Sequence, residues 1–93
     1  MFVGAVRFDI YVPGAASLKD RRRVLRSLID RLRGRFNAAV ADLSPDGVWG
    51  RAEVAVACVS GSMSELEGAL AKISEYVERE ADLQVVGAER FIY

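Results

Sequence analysis

Positive charge is concentrated in one short segment of this chain, SLKDRRRVLRSLIDRLRGRFN, which runs from Ser17 to Asn37. The segment holds eight of the thirteen basic residues and only two acidic ones, although the formal net charge of the chain is zero. All but one of the eight are arginines, and the arginine guanidinium is a planar, charged fork that matches phosphate oxygens and stacks on bases. These residue types favour contact with a polyanion such as RNA.

The spacing of the basic residues places several of them on one side of a helix. Three of them recur every seven residues, which on a helix is about 10 Å. The residues we predict to contact phosphates are Lys19, Arg22, Arg23, Arg26 and Arg33. A second interpretation stays open, in which these charges are ordinary solvated surface and Arg26 pairs with Asp30 or with acidic residues of a neighbouring helix.

Catalytic chemistry has little support in this sequence. There is no histidine, the residue used most often as a general acid or base and as a metal ligand near neutral pH. Cys58 lies in the apolar register of a strand, which is typical of a buried, inert thiol. We therefore predict no catalytic residue, no metal and no cofactor, and an enzyme or small-ligand sensor is the least favoured function.

Two helices are predicted from apolar spacing and from capping signals. The first begins at about Leu18 after Ser17, which forms a variant capping box with Asp20, and it ends near Gly34. Its apolar stripe comprises Leu18, Leu25, Leu28, Ile29, Leu32 and Phe36. The second helix follows a capping box of Ser62 with Glu65 and ends near Glu80. It carries five acidic and two basic residues, so the two helices have opposite charge.

Strands are predicted where apolar and polar residues alternate. They cover residues 2–12, 36–43, 51–60 and 83–93, with a turn at 44–47 and a bulge or an end at Gly87 in the last strand. The order β-α-β-β-α-β predicts an α+β, ferredoxin-like sandwich, a four-stranded antiparallel sheet with both helices on one face. At this length residues 1–93 should form one domain.

The sheet face without helices is the second candidate surface. Its third strand offers only small aliphatic side chains, which disfavours base stacking of the kind that RNA-recognition motifs use. Such a flat apolar patch is suited to a second copy of the chain or to another partner, or it is simply a semi-exposed sheet. The predicted interface residues are Val3, Ala5, Ala55, Ala57 and Val59.

Two single residues do not fit the general pattern. Arg21 falls within the apolar arc of the first helix, where we interpret it as a structural residue rather than as a ligand contact. Trp49 lies in the loop before the third strand. It either packs over the edge of the core or is an exposed anchor for a partner or a base.

The expected location is the cytoplasm. One cysteine cannot form an internal disulfide, the N-terminal segment lacks the features of a signal peptide, and no apolar run is long enough to cross a membrane.

Three stretches of the chain resemble the bacterial YlxP-like proteins, a family catalogued as a domain of unknown function. They are SLKDRRRVLRSL at 17–28, RFNAAVADL at 35–43 and WGRAEVAVACVS at 49–60. The resemblance implies a ferredoxin-like fold and supplies no catalytic or ligand residues. Members are often encoded beside translation initiation factor two and ribosome-binding factor A, which implies a connection with translation or ribosome assembly.

The expected function is therefore a non-catalytic cytoplasmic protein that contacts RNA or the ribosome through its basic first helix. The second hypothesis is a homodimeric protein-interaction module that uses the open sheet face and has no role with nucleic acid.

Overall fold

The computed structural model describes all residues from 1 to 93 and contains four strands and two helices. In chain order they are β1 (Phe2–Tyr11), α1 (Leu18–Arg35), β2 (Ala39–Asp42), β3 (Arg51–Ser60), α2 (Met63–Glu78) and β4 (Gln84–Ile92). The strands form one sheet in the order β2-β3-β1-β4, and every neighbouring pair is antiparallel. The predicted α+β, ferredoxin-like arrangement is confirmed.

Both helices begin at the serine caps that the sequence predicts. The Ser17 hydroxyl accepts a hydrogen bond from the backbone N–H of Asp20 at 3.1 Å, and the Ser62 hydroxyl accepts one from Glu65 at 3.3 Å. Each bond satisfies a backbone donor that the first helical turn leaves free.

The second strand is shorter than the sequence predicts, Ala39–Asp42 rather than residues 36–43. Phe36 is not part of it, because this residue caps α1 and its ring lies edge-on to Tyr76 of α2, with 5.8 Å between the ring centroids. Phe36 therefore packs against α2, and the chain enters the sheet only at Ala39.

The core lies between the helices and one face of the sheet. Alternate residues of β1 and β3 are buried there, among them Phe8 and Val54. The apolar stripe of α1 and the matching stripe of α2 complete a single cluster of 18 buried residues. Gly4 marks the closest approach, since a Cβ at this position would lie 2.8 Å from a methyl carbon of Leu70.

The last strand continues through Gly87 and contains a bulge, one of the two outcomes that the sequence allows. Its register against β1 shifts between Asp9 and Ile10, which pair with Gly87 and Val85 and leave Val86 without a partner. An extra residue reverses the alternation of side chains beyond it. Phe91 consequently lies opposite Ala5 on the open face of the sheet.

Candidate nucleic-acid interface

Four cations of α1 project from the side of the helix that lies above the edge strand β2. We call this set, Lys19, Arg22, Arg26 and Arg33, the outer flank. At 100° per residue these four positions fall on one narrow side of the helix. This side borders the buried stripe that contains Leu25, Leu28 and Leu32. The guanidinium of Arg33 donates to the carbonyl oxygen of Val40 in β2 at 2.8 Å, which fixes the direction of this flank.

Three members of the outer flank have no anionic partner. Lys19, Arg22 and Arg26 are exposed, and no carboxylate oxygen lies within 4.0 Å of their charged nitrogens. The pairing of Arg26 with Asp30 that the sequence left open is therefore not formed. Arg23, on the crest of the helix, lies 3.4 Å from Asp20 with its side chain 71% exposed, and a pair this exposed contributes little.

Two shallow depressions follow these cations along the helix. One has a volume of about 480 Å³ and is lined by Lys19, Arg22, Arg23, Arg26, Ser27 and Asp30. The other, about 360 Å³, is a groove between α1 and the end of β2, lined by Arg22, Arg26, Ile29, Asp30, Arg33 and Asp42. The first is bordered by one helix alone and cannot enclose a small molecule. Together they offer an open path to an extended anionic chain, with Asp30 and Asp42 as its acidic members.

The opposite side of α1 faces α2 and the residues that directly follow it. We call Arg31 and Arg35 the inner flank. Arg31 donates to both carboxylate oxygens of Glu80, with 3.0 Å between Nη2 and Oε2, and to the hydroxyl of Tyr76 at 3.2 Å. The hydrogen bond to Glu80 raises the pKa of Arg31 further. The guanidinium carbon of Arg35 lies 5.2 Å from the centroid of the Tyr76 ring. These contacts join the two helices.

Arg21 is a buried structural residue that holds the loop between β2 and β3. Its side chain is only 4% exposed, and its Nη1 donates to the carbonyl oxygens of Pro45 at 3.0 Å, Val48 at 2.7 Å and Arg51 at 3.3 Å. No carboxylate pairs with this guanidinium, so three backbone dipoles compensate its charge. The β2–β3 loop, residues 43–50, is thereby fixed to the N-terminal half of α1.

The same loop presents apolar side chains to solvent. Trp49 is 50% exposed, and Leu43 and Val48 are 49% and 47% exposed. The aromatic pair and both cation–π contacts of the structure involve Tyr76, so no aromatic or cationic group covers the Trp49 ring. Sequence reasoning singled out Trp49 but missed Leu43 and Val48. Leu43 was placed at the end of the predicted second strand, and Val48 follows turn residues that predict a polar loop.

The open face of the sheet is half apolar and half charged. All five predicted interface residues lie on it, and Val59 is 59% exposed. One apolar row crosses all four strands and consists of Ala39, Ala57, Ala5 and Phe91. In the other half Arg7 pairs with Glu89 at 2.8 Å and with Glu53 at 3.6 Å. Phe91 was missed because only the bulge in β4 places it on this face.

Comparison with known proteins decides the family. The model of the family described as "Protein of unknown function (DUF503)" matches residues 3–90. The chain belongs to the DUF503 family. A curated relative, the uncharacterized protein YlxP of Bacillus subtilis (strain 168), is 25% identical over 76 residues, which are 82% of this chain and 83% of the relative. The resemblance that the sequence motifs indicated is confirmed.

A solved structure similar to this DUF503 chain is that of SnoaB, a cofactor-independent oxygenase from Streptomyces nogalater. Its TM-score is 0.54 at 12% identity, and the match covers 99% of this chain and 90% of SnoaB. At this identity the likeness concerns the fold alone.

The remaining reactive groups of the DUF503 chain are isolated from one another. Cys58 is buried, and burial raises the pKa of its thiol, which disfavours the reactive thiolate. No three side chains among its cysteine, aspartates and glutamates come together as metal ligands would. Neither helix is long and apolar enough to span a bilayer.

Proposed function

We propose that this DUF503 protein is a non-catalytic, cytoplasmic RNA-binding protein, acting on RNA alone or within the ribosome, and that the outer flank of α1 contacts the phosphates. One observation carries the proposal. Lys19, Arg22 and Arg26 are exposed without carboxylate partners. On the inner flank of the same helix Arg31 pairs with Glu80, and Arg35, which has no carboxylate partner either, lies against the Tyr76 ring. When free cationic side chains neutralise the phosphates of a polyanion, the counterions condensed on the polyanion are released, and this release drives binding.

The position of the free cations on the helix supports the same conclusion. Lys19 lies in the first turn of α1, where a positive charge opposes the helix dipole. Arg22 and Arg26 are four residues apart, a spacing at which like charges repel. Folding alone does not favour this arrangement, but a bound phosphate chain would reverse the sign of both effects.

The test is the salt dependence of RNA binding with two matched variants. A labelled RNA stem-loop is titrated with the protein at about 50 to 300 mM KCl, followed by fluorescence anisotropy. The logarithm of the affinity should fall linearly with the logarithm of the salt concentration. The double variant Arg22→Gln/Arg26→Gln should bind more weakly and reduce the salt slope by about 2, since each lost phosphate contact reduces it by about 1.

The control removes the same charge from the same helix. Arg31→Gln/Arg35→Gln alters only the inner flank, and we expect its salt slope to equal that of the unmodified protein. Equal losses in the two double variants would reduce the effect to general attraction and contradict the proposed site. Absence of binding at about 50 mM salt, where such contacts are strong, would exclude RNA binding through this helix.

The apolar row on the open sheet face supports a second candidate function, a homodimeric interaction module. The strands have ten, four, ten and nine residues, and at about 3.3 Å per residue and about 4.8 Å between strands they cover roughly 500 Å². This is about two thirds of the roughly 800 Å² per partner of a standard interface. The small side chains of Ala5 and Ala57 would let a second copy approach closely about a twofold axis. Arg7 is already paired within the chain and needs no partner there.

Sedimentation equilibrium tests the dimer at protein concentrations of tens of micromolar. We expect a mass of twice 10.2 kDa for the unmodified chain and the monomer mass for Ala57→Glu, which places a charge in the apolar row. The matched control Ala71→Glu makes the same change on the exposed side of α2 and should leave the mass unchanged. A monomeric unmodified chain would contradict this function without affecting the RNA proposal, because the two surfaces lie on opposite layers.

A further inference from the structure

The β2–β3 loop carries an aromatic group that phosphate binding by the outer flank does not use. Trp49 is half exposed, and no cation or second ring covers its face. A tryptophan ring is a large apolar surface whose exposure is unfavourable unless something packs on it. The exposed Trp49 ring therefore indicates a ligand group that packs on it.

The loop is fixed beside the basic end of α1 rather than free in solvent. Arg21 donates to the carbonyl oxygen of Val48 at 2.7 Å, and the carbonyl oxygens of Pro45 in the loop and of Arg51 at the start of β3 accept from the same nitrogen. Arg22 of the outer flank follows the donor in the chain, and Trp49 follows the acceptor. The backbone segments that carry the ring and the first cations of the flank are therefore held next to each other.

The basic groove leads toward the same loop. Arg33, Arg26 and Arg22 line it on the helix side, and Asp42 lines it at the end of β2. Leu43, the next residue, begins the loop that carries Trp49. The groove therefore leads to the start of the loop that carries Trp49.

We propose that the ligand of this surface is an unpaired RNA strand, with phosphates along the outer flank and one base stacked on Trp49. The proposal rests on the RNA-binding function proposed above and specifies its substrate class. Bases within a duplex already stack on one another, so an indole ring can accept only a base that is free to turn outward. Cationic grooves combined with aromatic platforms are the usual means of binding single strands, and stacking tolerates every base. A protein partner would use the ring without needing the neighbouring cations.

The intrinsic fluorescence of the protein reports the stacking directly, because Trp49 is the only tryptophan. Three 12-nucleotide probes are compared at low salt: oligouridine, an abasic strand with the same number of phosphates, and a duplex. We expect oligouridine to quench the emission and to bind most tightly. The abasic strand should bind through its phosphates without quenching, and the duplex should leave the emission unchanged.

Three variants distinguish the contribution of the Trp49 ring to RNA binding from that of its neighbours. Trp49→Ala should lose about tenfold in affinity for oligouridine, in keeping with the usual effect of a stacking residue, and should bind the abasic strand as the unmodified protein does. Trp49→Phe keeps an aromatic face and should retain most of the affinity. Val48→Ala removes a neighbouring exposed apolar side chain and should have no effect.

Different results of this experiment would contradict the stacking of a base on Trp49 and the RNA-binding function itself. If oligouridine and the abasic strand bind equally well, without quenching and without an effect of Trp49→Ala, the stacking proposal is wrong while the phosphate contacts stand. Quenching by the duplex as strong as that by oligouridine would also overturn the preference for an unpaired strand. If none of the probes binds even at low salt, the proposed function fails and this inference fails with it.

Discussion

The two flanks of α1 contain the same kind of side chain but have different surroundings. On the inner flank Arg31 is held by Glu80 and Tyr76, and Arg35 lies against the same tyrosine ring. On the outer flank Arg22 and Arg26 share a groove with Asp30 and Asp42 but have no carboxylate oxygen within 4.0 Å. The difference shows that the number of arginines in a helix does not indicate their role, whereas the element packed against each flank does.

The two flanks also differ in their expected effect on stability. The inner flank connects α1 to Tyr76 of α2 and to Glu80, just beyond the end of α2. The carboxylate of Glu80 is only 15% exposed, so these hydrogen bonds should stabilise the fold. The outer flank brings like charges together and places Lys19 near the positive end of the helix dipole. The comparison therefore predicts that neutralising one flank costs stability and neutralising the other does not.

The largest effect is expected from removing what both flanks share, the apolar stripe beneath them. Leu28 has no exposed surface and belongs to the core cluster. Leu28→Ala should lower the free energy of unfolding by about 2 to 5 kcal/mol, the usual range for a buried leucine. Urea denaturation measures this change. A loss below about 1 kcal/mol, well under that range, would show that the stripe does not hold α1 on the sheet.

Much of the fold could be predicted from local signals in the sequence. The caps at Ser17 and Ser62, the helical apolar stripes and the alternation in β1 and β3 all appear in the structure. One departure comes from a tertiary contact, since Phe36 leaves the predicted second strand to pack on Tyr76. The bulge in β4 was one of the two outcomes predicted at Gly87, but only the pairing with β1 places it at Val86 and shows which faces it reverses.

The candidate site was predictable in position but not in detail. The sequence placed the basic flank correctly on the helix, yet it could not distinguish a free cation from a paired one. Arg33 is partly used by the carbonyl of Val40, and Arg23 lies beside Asp20. Both contacts depend on side-chain geometry that helical spacing does not fix. The attachment of the Trp49 loop through Arg21 also joins residues far apart in the chain.

An intermediate effect is expected from separating the inner flank from α2. Glu80→Ala removes the carboxylate partner of Arg31. We expect a loss of about 1 to 2 kcal/mol, below the roughly 1.5 to 3 kcal/mol of buried hydrogen bonds to a charged group, because the Arg31 side chain is 43% exposed. Urea denaturation of this variant, of Arg31→Ala and of the combination forms a double-mutant cycle. Glu78→Ala is the matched control, because Glu78 is exposed and forms no ion pair. An equal loss of stability in Glu78→Ala would mean that the effect does not come from the contact between Glu80 and Arg31.

The smallest effect, and one of opposite sign, is expected on the outer flank. Arg22→Gln/Arg26→Gln removes a like-charge pair four residues apart, and each such pair costs about 0.2 to 0.5 kcal/mol. Glutamine has nearly the helix propensity of arginine, so the free energy of unfolding should stay constant or rise by about 0.5 kcal/mol. The same urea measurement, made beside Arg31→Gln/Arg35→Gln, checks this difference. A loss above about 1 kcal/mol in the outer pair, the size of a typical hydrogen bond, would mean that these arginines stabilise the fold. The presence of these two arginines would then be explained by their contribution to stability, and a bound polyanion would not be needed to explain it.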